Sequence, residues 1–318
     1  RIADNKTSEF AEWDMELLEL ELEGLDDIFT GFDLDELDKL FDNDTEVIED
    51  DFDEEPPDEP ISKRGDIWLL GRHRLMCGSS TDQKDVDILM NNQKAKILFT
   101  SPPYLDLRDY EGEKNLSVEH IALFIKKYRK YTDYQCVNLG LVRENHELIQ
   151  YWDEYIEVAK NEGYKLLAWN VWNKQMAGSI GMQSAMFPIV HEWIFVFGTE
   201  HLNINLTWEK KENSINTGKY RTVRQKDGSM KKTSRGDTSK PYKKMESVLS
   251  LYPETGSIRS KHPATFPVSL PSEYIQAMTK KDDIVIDAFG GSGSTLIAAE
   301  QLNRICYMME LDEKYVDV

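Results

Sequence analysis

The segment that most constrains the fold lies near the end of the chain, where the apolar strand pattern DIVIDAF runs into the glycine-rich turn GGSGST. A helical pattern follows as far as Leu302, and then a second apolar strand, RICYMMELD, which contains Glu310. A strand, a tight glycine turn, a helix, a second strand and an acid form the pattern of a nucleotide-binding βαβ unit. Elsewhere, residues 65–80 indicate two short strands about a Gly-Arg turn, and helical patterns are found from Glu144 to Asn161 and from Ser272 to Thr279. Strands that alternate with helices predict an open, mostly parallel α/β sheet.

The residues of the turn restrict its ligand. Read from Gly291, the dinucleotide fingerprint GxGxxG requires a last glycine where this chain has Leu296, and the sequence does not contain the phosphate loop GxxxxGK[ST]. The turn is therefore poorly suited to a diphosphate. A tight turn, the apolar Phe289 and the carboxylates of Asp287 and Glu310 suit S-adenosylmethionine, whose ribose hydroxyls need an acid. A glycine turn that serves only tight packing is the alternative.

The second motif is TSPPY at residues 100–104, which follows the apolar segment AKILFT, interpreted as a buried strand. Alone, it could be an ordinary proline turn. Together with the glycine turn, it suits the exocyclic amine of adenine or cytosine, whose lone pair is delocalised into the ring. We expect the Ser101 side chain and the Pro102 carbonyl to accept the two N–H bonds. Pro102 and Pro103 would stiffen the loop, and Tyr104 would stack on a flipped base.

The two motifs resemble those of the DNA amino-methyltransferases that act at adenine N6 or cytosine N4. Those enzymes have a catalytic motif of the form (D/N/S)PP(Y/F/W) and a cofactor motif of the form FxGxG. The circularly permuted order of catalytic motif, basic region and cofactor motif is similar to the β class of that family. The resemblance covers residues 65–318. It implies a Rossmann-like class I methyltransferase fold with helices on both faces of the sheet, and methyl transfer from S-adenosylmethionine to DNA.

The resemblance also implies further site residues. KHPATFP, residues 261–267, is similar to a motif that lines the methionine side of the cofactor. HEWIFVF, residues 191–197, is similar to a motif near the target base, although a plain core strand fits it equally well. CGSSTD has Ser79 where relatives often carry an acid, and Asp82 is a candidate substitute. The expected catalytic residues are Ser101, Pro102, Pro103 and Tyr104. The expected cofactor-binding residues are Thr100, His262, Pro263, Ala264, Phe266, Asp287, Phe289, Gly290, Gly291, Ser292, Gly293, Ser294, Thr295 and Glu310.

The formal net charge of −20 is concentrated in residues 1–62, which hold 25 acidic and 3 basic side chains and leave about +2 for the rest. We interpret residues 1–41 as an acidic helical segment, with a helix over Ser8 to Leu25, and residues 42–63 as a disordered acidic linker. The methyltransferase domain would span residues 64–318. The opening RIADNKTSEFAEWD resembles the end of ParB-like nuclease domains that are fused to DNA methyltransferases. A solvated tether is the favoured role of the linker, and a DNA-mimicking autoinhibitory segment is the alternative.

Residues 208–262 carry 14 Lys and Arg against 6 Asp and Glu, a balance that suits contact with DNA phosphates. We place a target recognition region at about residues 205–260, with a solvated basic loop as the alternative. The expected partner is double-stranded DNA, and a homodimer is left open. The choice between adenine and cytosine is also left open. An RNA or protein methyltransferase and an inactive DNA-binding partition-type module are the remaining alternatives.

The cysteines and the apolar runs restrict the compartment. Cys77, Cys136 and Cys306 are scattered among apolar residues, which argues against disulfides and for a reducing cytosol. The Cys and His residues lack metal-ligand spacings, so no metal site is expected. No apolar run approaches the ~18 residues of a membrane span, so a cytoplasmic protein is expected. Because the chain opens on Arg1 rather than Met and stops at Val318, we expect a fragment of a longer protein.

Overall fold

The computed structural model describes residues 47–49, 56–103, 117–175, 187–209, 220–234, 242–253 and 266–318. The chain divides into two compact units, a larger one of residues 47–209 with 242–318 and a smaller one of residues 1–46 with 210–241. All described residues except one hairpin belong to the larger unit.

A nine-stranded sheet forms the centre of the larger unit. Across the sheet, its strands are β1 (Ile67–Leu70), β2 (His73–Cys77), β15 (Ile305–Glu310), β14 (Ile284–Asp287), β3 (Ile97–Thr100), β4 (Tyr134–Leu139), β8 (His191–Gly198), β7 (Lys165–Asn173) and β13 (Val248–Ser250). Strands β1 and β8 run antiparallel to their neighbours, and all other neighbouring pairs are parallel. The prediction of an open, mostly parallel sheet is therefore confirmed.

Helices cover both faces of this sheet. They are α1 (Gln83–Met90), α2 (Val118–Ala122), α3 (Phe124–Lys127), α4 (Trp152–Asn161), α5 (Ser269–Met278), α6 (Ser294–Gln301) and α7 (Glu313–Val316). Helices α1 to α4 contribute to a core on one face, and α5 to α7 contribute to a separate core on the other. Along β3, Leu98 enters the first core and Phe99 the second, as the pleat of a strand requires. Burying each such side chain contributes about 1.5–3 kcal/mol.

Two predicted helices differ in their bounds from the structure. The helical pattern from Glu144 to Asn161 forms a helix only from Trp152. Residues 143–148 instead form the small hairpin of β5 (Arg143–Glu144) and β6 (Glu147–Leu148), whose turn contains left-handed residues at positions 145 and 146. An α-helix cannot continue through that conformation. The helix predicted from Ser272 begins earlier, at Ser269, because a proline in the first turn needs no hydrogen-bond donor.

The basic stretch of residues 208–262 contains strands that its composition did not reveal. Strand β9 (Leu206–Glu209) pairs with β12 (Tyr242–Lys244) in the larger unit, which also holds β13. In the smaller unit, β10 (Tyr220–Arg224) pairs with β11 (Met230–Ser234) to form a hairpin. Four basic side chains are exposed on this hairpin, namely Arg224, Lys226, Lys231 and Lys232. None of the helices described is long and apolar enough to cross a membrane.

Part of the predicted acidic linker is attached to the larger unit at residues 47–49. The carboxylate of Glu49 accepts the N–H groups of Val268 and Ser269 at 2.6 and 3.1 Å, at the N-terminus of α5. The backbone of Ile48 and the side chain of Gln301 exchange two hydrogen bonds of 2.9 Å. An acid is stabilised at a helix N-terminus because the first N–H groups have no partner within the helix. Here the acidic sequence therefore makes specific contacts, which composition alone did not predict.

The end of the same predicted linker is attached near the last residues of the chain. Ser62 is fully buried, and its N–H donates to the carboxylate of Asp317 at 3.1 Å. The indole of Trp68, in β1, donates to the hydroxyl of Ser62 at 2.8 Å. These bonds hold the chain against β1 just before the predicted domain boundary near Lys63. That boundary stays a prediction.

The Glu49 contact leads to a prediction about stability. Glu49→Gln removes the charge that faces the first N–H groups of α5, so we expect the free energy of unfolding to fall by about 1 kcal/mol. Urea denaturation measures this change. Glu59→Gln is the matched control, because the Glu59 side chain lies exposed on the same acidic stretch. Equal stability of the two variants would contradict the role assigned to Glu49.

Candidate active site

Two loops leave the sheet side by side at the carboxyl ends of β3 and β14, which are adjacent parallel strands. From β14 the chain crosses to β15 on one side, and from β3 it continues to β4 on the other. The two loops therefore diverge and leave a crevice between them. Ligands of open α/β sheets bind in such a crevice. The loop after β14 is the glycine-rich turn, and the loop after β3 begins at Ser101.

A buried carboxylate joins the two loops. Asp287 accepts the hydroxyl of Thr100, the last residue of β3, at 2.7 Å, and the hydroxyl of Thr295, in α6, at 2.6 Å. It also accepts the N–H of Phe289 at 3.1 Å. Asp287, Thr100 and Thr295 are fully buried, so they fix the loops from within the fold. Burial raises the pKa of Asp287 to about 6, although the hydrogen bonds that it accepts lower it.

A second carboxylate lies at the end of β15. Glu310 accepts the N–H groups of Gly291 and Leu311 at 2.8 Å each, and that of Asp312 at 2.9 Å. Burial raises its pKa, and these backbone hydrogen bonds lower it. A carboxylate has about four acceptor positions. The three backbone donors therefore leave about one position for a hydroxyl of a ligand.

The geometry of the turn requires its glycines. A Cβ on Gly290 would lie 2.5 Å from the Cγ of Met308, so any side chain there would force the side chain of Met308, in β15, to move. Gly291 and Gly293 have φ of 53° and 84°, a region that other residues rarely adopt. Among the described residues, no atom lies within 4 Å of the place where a Cβ on Gly293 would be. The turn thus packs on β15 at Gly290 and is open at Gly293.

Neighbouring segments hold the remaining residues of the turn. The hydroxyl groups of Ser292 and Ser294 are 3.2 Å apart, and Ser294 donates to the carbonyl of Phe266 at 2.9 Å. This bond connects the turn to the end of the segment KHPATFP. The ring of Phe289 meets the ring of Phe124 edge to face, with 5.3 Å between centroids. Phe266 and Phe289 are therefore placed beside the turn, as the sequence predicted.

The segment CGSSTD lies on the other side of the turn. The hydroxyl of Ser80 donates to the carbonyl of Ala288. The N–H of Ser79 donates to the carboxylate of Asp85 at 2.8 Å. Asp82, the candidate substitute for the missing acid, accepts a backbone N–H as the N-cap of α1. The carboxylate of Asp85, which was not predicted from the sequence, thus lies beside Ser79, where relatives often carry an acid.

The loop after β3 is described as far as Pro103. Ser101 and Pro103 are half-buried, and Pro102 is buried. Four predicted site residues lie outside the described part of the chain, namely Tyr104, His262, Pro263 and Ala264. Their roles stay predictions.

A chain of three polar residues that leads from Ser101 was missed from the sequence. Asn138, near the end of β4, donates to the Oγ of Ser101 at 3.3 Å and to the carboxylate of Glu192 at 2.6 Å. Glu192, at the start of β8, forms an ion pair with Lys174, which directly follows β7. The signal for Asn138 was an amide at the carboxyl end of an apolar strand. Glu192 lies in HEWIFVF, whose later residues Ile194 and Phe195 are core residues as the plain-strand interpretation expected. No sequence signal pointed to Lys174.

Other reactive groups of the larger unit lie inside the fold. Cys77, Cys136 and Cys306 are free and buried, and burial raises the pKa of the Cys77 thiol to about 11. In the ranges that the structure describes, His, Cys, Asp and Glu side chains form no group of three that could hold a metal ion. Of the predicted site residues, those that the structure describes lie around the crevice between the two loops.

Comparison with known proteins gives the family. Residues 95–318 match the family described as DNA methylase, and residues 15–64 match the ParB-methyltransferase HTH domain. The second match confirms the resemblance of the N-terminus to ParB-linked methyltransferases, although the matched segment is an HTH domain. The matched segment also includes residues 42–63, which were predicted to form a linker.

Individual relatives agree with the family. The type II methyltransferase M.Cfr9I of Citrobacter freundii is 26% identical over 255 residues, which are 70% of this chain and 79% of that protein. The type II methyltransferase M.PvuII of Proteus hauseri is 44% identical over 55 residues, 17% of this chain, and the match spans only 16% of that protein. Among solved structures, the PvuII DNA methyltransferase (cytosine-N4-specific) has a TM-score of 0.55 and 17% identity, with 81% of this chain and 88% of that chain covered. This structural likeness shows the fold alone.

These matches confirm the predicted Rossmann-like methyltransferase fold and the predicted class of enzyme, a DNA methyltransferase. The chain belongs to the N6/N4 DNA methylase family.

Proposed function

We propose that this chain binds S-adenosylmethionine and methylates the exocyclic amine of adenine (N6) or cytosine (N4) in double-stranded DNA, after the base has been flipped out. The observation that carries the proposal is the bond between Thr100 and Asp287, which joins the serine-led loop and the glycine-rich turn in one rigid crevice. A methyl acceptor held at Ser101 and a methyl donor held at the turn would then be neighbours.

The residues of the turn fit the proposed cofactor. S-adenosylmethionine carries a ribose, a cationic sulfonium and an amino group. Glu310 retains about one acceptor position for a ribose hydroxyl. The charges of Asp287 and Glu310 repel each other, and this repulsion contributes to the raised pKa of Asp287. A cationic ligand would relieve it, because opposite charge favours the ionised form of a carboxyl group. The cofactor supplies the methyl group when bound.

The catalytic loop has the groups that an aromatic amine needs. We assign the Oγ of Ser101 and the carbonyl of Pro102 as acceptors of the two amine N–H bonds, which favours a pyramidal nitrogen with an available lone pair. A serine hydroxyl is no useful base near neutral pH, so the neutral amine would attack the methyl carbon directly as the bond from that carbon to sulfur breaks, and the methylated nitrogen would lose its proton to water afterwards. Buried Pro102 and half-buried Pro103 limit the motion of the loop. We keep stacking on the flipped base as the proposed role of Tyr104.

Duplex DNA is the proposed partner because of the basic hairpin. Its exposed Arg224, Lys226, Lys231 and Lys232 suit phosphate contacts, which make binding depend on salt without specifying sequence. We keep residues 205–260 as the proposed recognition region. The three buried thiols suit a reducing compartment, and we propose that the protein acts in the cytoplasm.

The deciding experiment incubates the protein with duplex DNA and labelled S-adenosylmethionine, and then digests the DNA to nucleosides for mass spectrometry. We expect N6-methyladenine or N4-methylcytosine, which identifies the base directly. Single-stranded RNA and the protein itself serve as competing acceptors. Label that appears in these and not in DNA would contradict the proposed substrate.

Glu310→Gln tests the proposed cofactor contact. The amide keeps the shape of the side chain but can donate, so it repels one of the backbone N–H groups and weakens acceptance of a ribose hydroxyl. We expect the Kd for S-adenosylmethionine to rise by about tenfold, since a hydrogen bond to a charged group contributes about 1.5–3 kcal/mol. Calorimetry measures this Kd. The control is Glu300→Gln, on the exposed side of α6, where we expect an unchanged Kd.

A further inference from the structure

We propose that Asn138 is a positioning residue for Ser101, and that Glu192 and Lys174 fix the orientation of its amide. This inference rests on the proposed function, because it concerns how the hydroxyl that accepts the target amine is held. It assigns a role to three residues that lie outside both the TSPPY motif and the glycine-rich turn.

The sheet brings these residues together from four separate segments. Strand β4 is the parallel neighbour of β3, so the end of β4 lies beside the loop that begins at Ser101. Strand β8 is antiparallel to β4, with Asn138 opposite Ile194, so the start of β8 lies at the same edge. Strand β7 pairs with β8 so that Trp172 lies opposite Glu192, which places Lys174 just beyond it. Any two of these four residues are at least 18 positions apart in the sequence.

The chemistry of the contacts fixes which way the amide points. A carboxylate can only accept hydrogen bonds, so the nitrogen of Asn138, and not its oxygen, must face Glu192, at 2.6 Å. The same nitrogen lies 3.3 Å from the Oγ of Ser101. Its second hydrogen is therefore donated to Ser101. Asn138 is only 1% exposed, so its amide depends on protein groups for its hydrogen bonds.

The ion pair holds the other end of the group. The side chains of Lys174 and Glu192 are 22% and 13% exposed, so they are much less screened than a surface pair. Lys174 also lies over the ring of Trp172, with 4.9 Å between Nζ and the ring centroid, which limits its motion. The carboxylate of Glu192 is thus kept in place between a cation and the amide of Asn138.

The consequence for Ser101 is a fixed hydroxyl. A serine hydroxyl otherwise rotates to suit its surroundings. Because Oγ receives a hydrogen bond from Asn138, the direction of its acceptor positions is set before the base arrives. Groups that are oriented in advance cost no reorganisation during the reaction. Loss of Asn138 should therefore slow methyl transfer while the affinities for cofactor and DNA are kept.

The test is a double-mutant cycle on the single-turnover rate of methyl transfer to duplex DNA, with Asn138→Ala, Ser101→Ala and both together. We expect Asn138→Ala alone to slow transfer by about 10- to 100-fold. In the Ser101→Ala background, the same change should have less than about twofold effect, because residues that act through one another are not additive. Kd values for S-adenosylmethionine and DNA should change by less than about threefold.

Two further variants separate orientation from folding. Glu192→Gln keeps the shape of the side chain but can donate, so the Asn138 amide can turn around and the fixed donor to Ser101 is lost. We expect a several-fold slower transfer that again disappears in the Ser101→Ala background. Asn170→Ala is the matched control, since Asn170 is a buried asparagine that donates to Tyr274 at 3.0 Å on β7. If Asn170→Ala slows methyl transfer, we expect the same factor in the wild-type and in the Ser101→Ala background.

The outcomes are distinct. Suppose that the wild-type protein transfers methyl groups and that Asn138→Ala slows transfer equally in the wild-type and the Ser101→Ala background. This result would overturn the inference about Asn138 and leave the proposed function intact. An unchanged rate in Asn138→Ala would do the same. Absence of methyl transfer to DNA by the wild-type protein would overturn the proposed function and the inference with it.

Discussion

Ser101→Ala is expected to slow methyl transfer by about 10²- to 10³-fold, the usual effect of removing one preorganised hydrogen-bonding group from the reacting centre. The alanine side chain cannot accept an N–H bond of the amine, so the nitrogen lone pair stays delocalised in the ring. We expect the Kd for S-adenosylmethionine to stay within about twofold of the wild-type value, because the turn is held by Asp287 and Glu310. Single-turnover rates with labelled cofactor and calorimetry measure the two quantities.

The control for this prediction is Thr199→Val, which also removes a hydroxyl but directly follows β8, at the opposite end of that strand from Glu192. It should transfer methyl groups at the wild-type rate. A Ser101→Ala variant with near-normal turnover would mean that the amine is held by other groups. A variant that also loses cofactor binding would mean that Ser101 acts on the fold of the crevice and not on the amine.

Asp287 is the position where we expect the largest effect on stability. Asp287→Ala would leave the hydroxyls of Thr100 and Thr295 and the N–H of Phe289 without their buried acceptor. A buried group without a partner costs about 1–3 kcal/mol, so we expect the free energy of unfolding to fall by about 3 kcal/mol or more. Urea denaturation measures this loss. Because the same carboxylate joins both loops, cofactor binding and methyl transfer should be lost with it.

Asp287→Asn separates the charge from the bonding. Folding raises the pKa of Asp287 from 3.8 to about 6, so between these values the folded protein binds the proton more tightly than the unfolded chain. The contribution of this protonation to the free energy of unfolding is fully present below about pH 4 and is lost as the pH rises through about 6. The difference of about two pH units corresponds to about 3 kcal/mol. Relative to Asp287→Asn, the wild-type protein should become less stable by about this amount from pH 4 to pH 7.

Urea denaturation of the wild-type and Asp287→Asn proteins across this pH range measures the difference between their free energies of unfolding. The other carboxyl groups contribute equally to both proteins, so their effects cancel in this difference. A difference that does not vary with pH would show that Asp287 titrates normally in the folded protein. A difference of opposite sign would mean that its hydrogen bonds outweigh its burial. Either result would contradict the raised pKa of Asp287 in the folded protein.

Much of the fold could be read from local patterns. Strands β3, β14 and β15 are continuous apolar runs because parallel strands are buried on both faces, and that pattern identifies them without a structure. The hairpin of β1 and β2 followed from its Gly-Arg turn. The limits of α4 and the strands within residues 206–250 could not be read in this way. They depend on left-handed turn residues and on pairing with strands that are distant in the sequence.

The serine-led loop and the glycine-rich turn were also evident, because each is a short continuous motif whose chemistry depends on adjacent residues. The sequence by itself thus determined the class of fold, the two loops and the residues that they contain. Only the tertiary structure decided that Thr100 and Asp287 share a hydrogen bond and that Glu49 meets the start of α5. It also decided that Asn138 contacts Ser101, while Glu192 contacts Asn138 and Lys174 pairs with Glu192. The reason is physical. These contacts join residues from 18 to more than 200 positions apart, and strand order, not local sequence, brings such residues within hydrogen-bonding distance.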